Sequence, residues 1–255
     1  MKPWLALLGW LVSQVAVAET VQLSTLDGVS IQGETTGDGP NALLLVHGQG
    51  QQRADWDALT QQLKGHGFFI LSIDLRGHGG SGASPTPLDE DCTPMKSDLE
   101  AALSWLRARE PESISVVGAE LGANLALQVA ASDPGVSNVA LLSPGLNHCG
   151  VKVGAAIAAY SSRPILLASS ETDVTSKKTA TILEAKATGP KHLELVPGNA
   201  KGVRLLNASP QLESVLVGWL NGSMWKRSDA LQQPLLTAPS NGHIETTGTR
   251  LEDRN

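Results

Sequence analysis

The sequence predicts an α/β fold: one domain on an eight-stranded, mostly parallel sheet with helices on both faces. Three features carry this expectation. Short apolar runs bounded by turn residues recur along the chain, as strands buried on both faces require. Segments with apolar residues at helical spacing separate those runs. A hairpin pattern stands ahead of the alternation, so an antiparallel start leads into a parallel sheet.

The elements follow in order. Val21–Leu26 and Val29–Glu34 flank Asp27-Gly28, a strong hairpin signal because both turn residues tolerate positive φ. The turn Gly37-Asp38-Gly39-Pro40 leads into the apolar run Ala42–Val46. Comparable runs fall at Phe68–Ile73, Ile114–Val117, Val139–Leu142 and Ile165–Ala168, and His192–Val196 closes the series. Helical patterns lie between them. Asp55–Leu63 sets Trp56, Leu59 and Leu63 on one face, and Ser97–Arg107 does the same with Leu99, Leu103 and Leu106. Asp98 and Glu100 stand in the first turn of the latter, where the helix dipole favours acids. Ala123–Ala131 is rich in Ala and Leu and stops at Asp133-Pro134-Gly135, and Ser214–Leu220 forms the last helix.

The ends of the chain have a different character. Lys2, the apolar run Trp4–Val12 and the small residues Ala16-Val17-Ala18 match an export signal over residues 1–18, with cleavage before Glu19. A membrane anchor is the competing reading, but the run is shorter than the ~20 residues a spanning helix needs. The protein is therefore expected to be exported, periplasmic or secreted, without a membrane span. Residues 19–225 form the domain, and 226–255 are rich in Pro, Ser, Thr, Gly, Asn and charge, which predicts a disordered tail. The net charge of −6, with acids and bases interspersed, argues against a nucleic-acid partner, which needs a concentrated basic face. Cys92 and Cys149 lack metal-site spacing and are expected to form a disulfide beside the C-terminal edge of the sheet. No metal or cofactor motif is present. Asn207-Ala208-Ser209 and Asn221-Gly222-Ser223 match the glycosylation sequon, a match short enough to arise by chance.

Four motifs in the expected strand context resemble the α/β-hydrolase superfamily. They are His47-Gly48-Gln49-Gly50 with Trp56 and Leu59 downstream, Asp74-Leu75-Arg76-Gly77-His78-Gly79-Gly80-Ser81, Gly118-Ala119-Glu120-Leu121-Gly122, and Leu142-Ser143-Pro144-Gly145-Leu146. The third stands where the family has G-x-S-x-G between a strand and a helix. The resemblance runs from Val21 to Leu220 and is closest to small bacterial members. It implies a short cap between Gly145 and Ser162 and no large lid.

Carried over residue by residue, the triad positions are Glu120 for the nucleophile, Asp173 for the acid and Lys201 for the histidine, with Glu171 as a register alternative for the acid. A serine hydrolase needs a hydroxyl made nucleophilic by a neutral imidazole that an acid orients. A carboxylate offers no hydroxyl, and a lysine beside an anion stays protonated. Serine-hydrolase activity is therefore expected to be absent. Backbone N–H groups of Gln49 and Leu121 would form the oxyanion hole the resemblance implies. Glu120 and Lys201 are expected to pair as ions where relatives have their Ser–His contact, with Asp173 beyond.

Three functions stay open at this point. The first is a non-catalytic homologue that binds an unidentified small molecule or protein. The second is an active hydrolase, esterase-like or similar to epoxide hydrolases and haloalkane dehalogenases, with Glu120 as nucleophile or a base recruited elsewhere. His148, after Val139–Leu142, is the candidate base. His47 and His78 read as turn residues, and His66, His192 and His243 as surface or loop positions. The third is an adhesive or structural protein, which needs an apolar surface patch.

Overall fold

A computed structural model of the chain describes residues 18–88 and 91–226. The export signal apart from Ala18, and the tail beyond Lys226 with His243, lie outside the described residues.

The hairpin strands are β1, Glu19–Ser24, and β2, Ser30–Thr36, paired antiparallel with Leu23 opposite Ile31. The buried strands are β3, Asn41–Val46, β4, Phe68–Ile73, β5, Ser113–Ala119, and β6, Asn138–Leu142. A two-stranded ribbon follows, β7, Asn147–His148, and β8, Val151–Lys152, then β9, Ile165–Ser170, and β10, Lys191–Val196. The helices are α1, Asp57–Leu63, α2, Lys96–Arg107, α3, Leu121–Ser132, α4, Ala156–Tyr160, α5, Val174–Lys186, α6, Arg204–Ala208, and α7, Pro210–Leu220.

The eight-stranded sheet runs β1-β2-β4-β3-β5-β6-β9-β10. Only the pairs β1–β2 and β2–β4 are antiparallel, and the rest are parallel. Each face of the sheet has its own core. Leu44, Val46, Val116 and Leu141 meet α2, α3, α4 and α5 on one side. Leu43, Leu45, Val117 and Leu142 meet Trp56, α1, α6 and α7 on the other. Full burial of consecutive residues in β3 explains why that segment reads as a continuous apolar run.

The motif around Asp74 holds the hairpin to this sheet. Asp74 is fully buried and accepts from the Arg53 N–H at 2.7 Å, the Gly80 N–H at 2.9 Å and the Arg53 guanidinium. Arg76 is also fully buried, donating through Nε to Asp98 at 2.8 Å and through its end groups to Asp27 at the hairpin tip. Ser81 donates to the Asp74 carbonyl at 2.6 Å. These polar residues are structural, and the buried side chains of Asp74 and Arg76 are satisfied by their neighbours.

The cap is short, as the resemblance implied, and consists of the β7–β8 ribbon and α4. Cys92 and Cys149 form a disulfide that ties this ribbon to the segment preceding α2. Among the described residues no helix is long and apolar enough to cross a membrane.

Candidate active site

The turn from β5 into α3 has the elbow shape. Glu120 adopts φ 50 and ψ −110, a region that side chains beyond glycine rarely enter. Its neighbours explain how this holds. A Cβ at Gly118 would lie 2.2 Å from the Gly122 carbonyl oxygen, and one at Gly122 would lie 2.4 Å from the Val46 and His47 carbonyls. Both contacts are with backbone and cannot be relieved by a rotamer change. The Glu120 N–H donates to the Leu142 carbonyl at 2.8 Å, and its own carbonyl accepts from Ala123 and Asn124, starting α3. The strand, the helix and the next strand therefore pin the turn together.

The structure brings Glu120, Asp173, Lys201 and His148 to one cleft of about 60 Å³ at the C-terminal edge of the sheet, with Ser143 and Ser176 also lining it. A wider cavity of about 430 Å³ lies between β1 and α2, remote from these groups, and gathers no comparable set of reactive side chains.

Asp173 is buried at the start of α5. One oxygen caps the helix by accepting from the Ser176 N–H at 3.2 Å, and the other lies 3.2 Å from the Lys201 ammonium. Lys201 is 48% exposed. Glu171 is exposed, and its backbone N–H donates to the Val196 carbonyl at 2.9 Å; among the two acids Asp173 is the one lining the cleft.

The expected ion pair between Glu120 and Lys201 is not formed. Among the described residues no lysine, arginine or histidine nitrogen comes within 4.0 Å of the Glu120 carboxylate. Its Oε2 accepts instead from the Gln51 side-chain amide at 3.1 Å. That oxygen sits against Gly48 and Gly202, where a Cβ would be 3.0 Å and 2.9 Å away. The physical reason is desolvation. A neutral amide satisfies the carboxylate inside the turn, while the lysine keeps its charge near water and pairs with Asp173. Gln51 is itself set by the turn, since its Oε1 accepts from the Gly48 N–H at 3.0 Å.

The N–H groups of Gln49 and Leu121 have no acceptor among the described residues, and Leu121 opens α3 where no intrahelical partner exists. The turn carrying Gln49 is held by His47, which is fully buried. Its Nδ1 donates to the Gly48 carbonyl at 2.7 Å and its Nε2 accepts from the Leu75 N–H at 3.0 Å. Burial pushes its pKa down to about 4, so the ring is neutral. His78 accepts from the Gly50 N–H at 3.0 Å and steadies the same turn. His192 pairs with Glu194 on the outer strand.

His148 is different. It comes from β7 and its Nε2 lies over Gly145, 2.6 Å from where a Cβ would stand. Burial lowers its pKa, and the charges of Glu120 and Asp173 oppose that shift. Ser143 has φ 55 and its Oγ accepts from the Gly202 N–H at 3.0 Å, tying the end of β6 to the last loop. Gln51 and Ser176 are site residues that the motifs do not single out, and Ser143 stands in the fourth motif with no role assigned to it there. Gln51 has a signal of sorts, two places beyond Gln49 in the same turn. Among the described residues no group of three or more His, Cys, Asp or Glu side chains is arranged to hold a metal.

Comparison with known proteins agrees with this fold. The sequence model described as the alpha/beta hydrolase family matches residues 43–240. The chain belongs to the alpha/beta hydrolase family. An uncharacterized protein of Mycobacterium tuberculosis is 26% identical over 213 residues, covering 73% of each chain. A pimeloyl-[acyl-carrier protein] methyl ester esterase of Cronobacter sakazakii is 35% identical over 102 residues. That stretch covers 40% of this hydrolase-family chain and about a third, 35%, of the esterase. Among solved structures, an esterase of Pyrococcus furiosus superposes with a TM-score of 0.69 at 17% identity, covering 81% of this chain and 92% of the other. An alpha/beta hydrolase of Novosphingobium aromaticivorans gives 0.67 at 18% identity, with 81% and 99% covered. At these identities the superpositions speak for the fold alone.

Proposed function

We propose that this family member is an exported, non-catalytic hydrolase homologue that holds a small molecule or partner in the cleft beside Glu120. The observation that carries the reading is the partner choice of the elbow residue. Glu120 accepts from the neutral amide of Gln51, and Lys201 is engaged by Asp173. A serine-type cycle needs a proton passed from the elbow to a base and on to the leaving group. Here the elbow has no proton to give, and the residue at the base position is a cation facing its acid. Export rests on the N-terminal signal pattern and agrees with a disulfide, which persists outside the reducing cytoplasm.

One observation favours a second reading, carboxylate-nucleophile catalysis. His148 lines the cleft with Glu120, and burial keeps its ring neutral and so competent as a base. Assays of the purified full chain on p-nitrophenyl esters and a panel of epoxides separate the two. The expected result is no turnover above buffer. Turnover lost in both Glu120→Ala and His148→Ala, and untouched by a serine-directed inhibitor, would establish the second reading instead. Export is tested by N-terminal sequencing of the protein secreted from an expression host, expected to begin at Glu19.

A further inference from the structure

We infer that the free edge of the sheet, strand β1, pairs antiparallel with the same strand of a second copy of this chain, about a twofold axis at Gln22. The groove beside this strand shares no lining residue with the cleft at Glu120.

The backbone of β1 is open on its outer side. The Thr25 N–H donates to the Val29 carbonyl at 3.0 Å, so these two form a bonded pair at the hairpin end. Bonded and unbonded pairs alternate along antiparallel strands. Leu23 opposite Ile31 and Val21 opposite Gly33 are therefore bonded pairs, and Thr20, Gln22 and Ser24 turn their N–H and C=O groups outward. The carbonyls of Ser30 and Gln32 agree with this phase. They accept from the N–H groups of Gly82 at 2.7 Å and Asp74 at 2.9 Å, on the far side of β2. Thr20, Gln22 and Ser24 are exposed.

Nothing in the strand guards that edge. Sheets protect open edges with lysine, proline, bulges or a covering segment. The opposite edge strand, β10, carries Lys191, His192 and Glu194. β1 has Glu19 as its one charged side chain and no proline, and its pairing with β2 runs unbroken from Glu19 to Ser24, without a bulge. Beside it runs the groove against α2, whose wall includes Ala101 and Trp105. Leu26 also lines this groove and is 101% exposed.

The sequence of β1 is complementary to itself, which selects a second copy as the occupant. A twofold axis at Gln22 sets Thr20 opposite the partner's Ser24, so every outward backbone group of Thr20, Gln22 and Ser24 meets one of the opposite kind. These polar side chains share one face of the new ribbon. On the face toward α2, Val21 and Leu23 meet the partner's Leu23 and Val21. Glu19 falls opposite the partner's Thr25, so no like charges face each other. Helix α2 runs counter to β1. Its first turn holds Asp98, joined through Arg76 to Asp27 at the hairpin tip. Its last turn leads to Arg109, which lies over the Trp105 ring and feels the charge of Glu19. The pairing therefore carries the partner's Leu26 to the Trp105 end of the groove, and Leu26 to the same place on the partner. An unrelated extended peptide would use the same backbone groups and leave Leu26 without this contact.

The test is sedimentation equilibrium of the exported, untagged chain over a dilution series from about 500 to about 1 µM, a range that suits an interface of modest area. A monomer–dimer equilibrium is expected. Gln22→Lys and Gln22→Glu each set like charges across the axis and should weaken the dimer about fivefold or more, with an unchanged melting temperature. Mixing the two variants sets opposite charges across it and should restore dimerisation, a response that requires Gln22 to face its own copy. Leu26→Ser should weaken the natural dimer several-fold through lost apolar burial. A chain monomeric throughout the series, a dimer indifferent to both Gln22 variants, or a mixture no tighter than either variant alone each overturns the inference. So does a monomer whose β1 amides gain exchange protection only when an extended peptide is added, which assigns the edge to a different partner.

Discussion

Acidifying the protein from pH 7 to pH 4 should remove about 3 kcal/mol of stability through His47 alone. The ring is fully buried and fits in one neutral tautomer, with Nδ1 donating to the Gly48 carbonyl and Nε2 accepting from the Leu75 N–H. A second proton on Nε2 would face that N–H, donor against donor. Burial therefore lowers the pKa from its ordinary 6.5 to about 4. Between those values the unfolded chain binds more protons than the folded one, so stability is fully present above 6.5 and is lost as pH falls through 4. The gap, at about 1.4 kcal/mol per pH unit, gives the figure of about 3 kcal/mol. Urea denaturation at stepped pH should show this loss in the natural chain and a shallower one in His47→Gln. An NMR titration of the folded protein reads the ring directly and needs no variant. A His47 signal titrating near 6.5 would refute the reasoning, and with it the role of this ring in holding the turn that presents Gln49.

The half-exposed Lys201–Asp173 pair should show a coupling of about 0.2–1 kcal/mol in a double-mutant cycle, because solvent screens it. The cycle between Glu120 and Lys201 should be additive within error. Cys92→Ser with Cys149→Ser should lower stability by about 4 kcal/mol in the chain-entropy model for a separation of 57 residues, read from denaturation midpoints with and without reductant. Glu120→Ser with Lys201→His should hydrolyse p-nitrophenyl acetate faster than either single variant, since the elbow and Asp173 are already placed. Equal rates in the three variants would show that the remaining frame is not competent.

What the sequence disclosed follows from how each part is stabilised. The parallel strands are buried on both faces, so β3 and β9 appear as apolar runs that few other structures produce. The hairpin, the two-faced layering and the elbow glycines were legible for similar reasons. Helix α5 was not, because Val174–Lys186 is dominated by Thr, Ser and Lys, with Ala180 and Leu183 its buried apolar residues. Its start signal, Asp173, falls at the position of the family acid, and the same carboxylate caps the helix. The short α6 and the β7–β8 ribbon fell below the length at which periodicity speaks. In the site, motif position brought Glu120, Asp173 and Lys201 to one cleft, but side-chain partners do not follow from position. Gln51 reaches the Glu120 carboxylate from a turn only a few residues long, and no spacing rule could give that distance.

The elbow remains strained although Glu120 presents no hydroxyl. A non-glycine residue in such backbone costs about 1–3 kcal/mol, which the surroundings must over-determine. They do so here through packing: Gly118 on Gly122, Gly122 on the Val46 and His47 carbonyls, and the Glu120 N–H on Leu142. None of these contacts involves the side chain at 120. The turn is thus a consequence of how β5, α3 and β3 pack, and the side chain alone decides what the turn presents. A serine there would stop short at its hydroxyl. The longer glutamate extends between Gly48 and Gly202, two positions whose missing Cβ atoms make the space it occupies. It also lies at the N-terminus of α3, where the helix dipole favours an anion. The same packing that would aim a nucleophile therefore fixes a carboxylate at the edge of a small cleft, with one neutral donor on it and room on its other side. A charge held by the backbone in this way needs little reorganisation when a ligand arrives, which is what the proposed binding role requires.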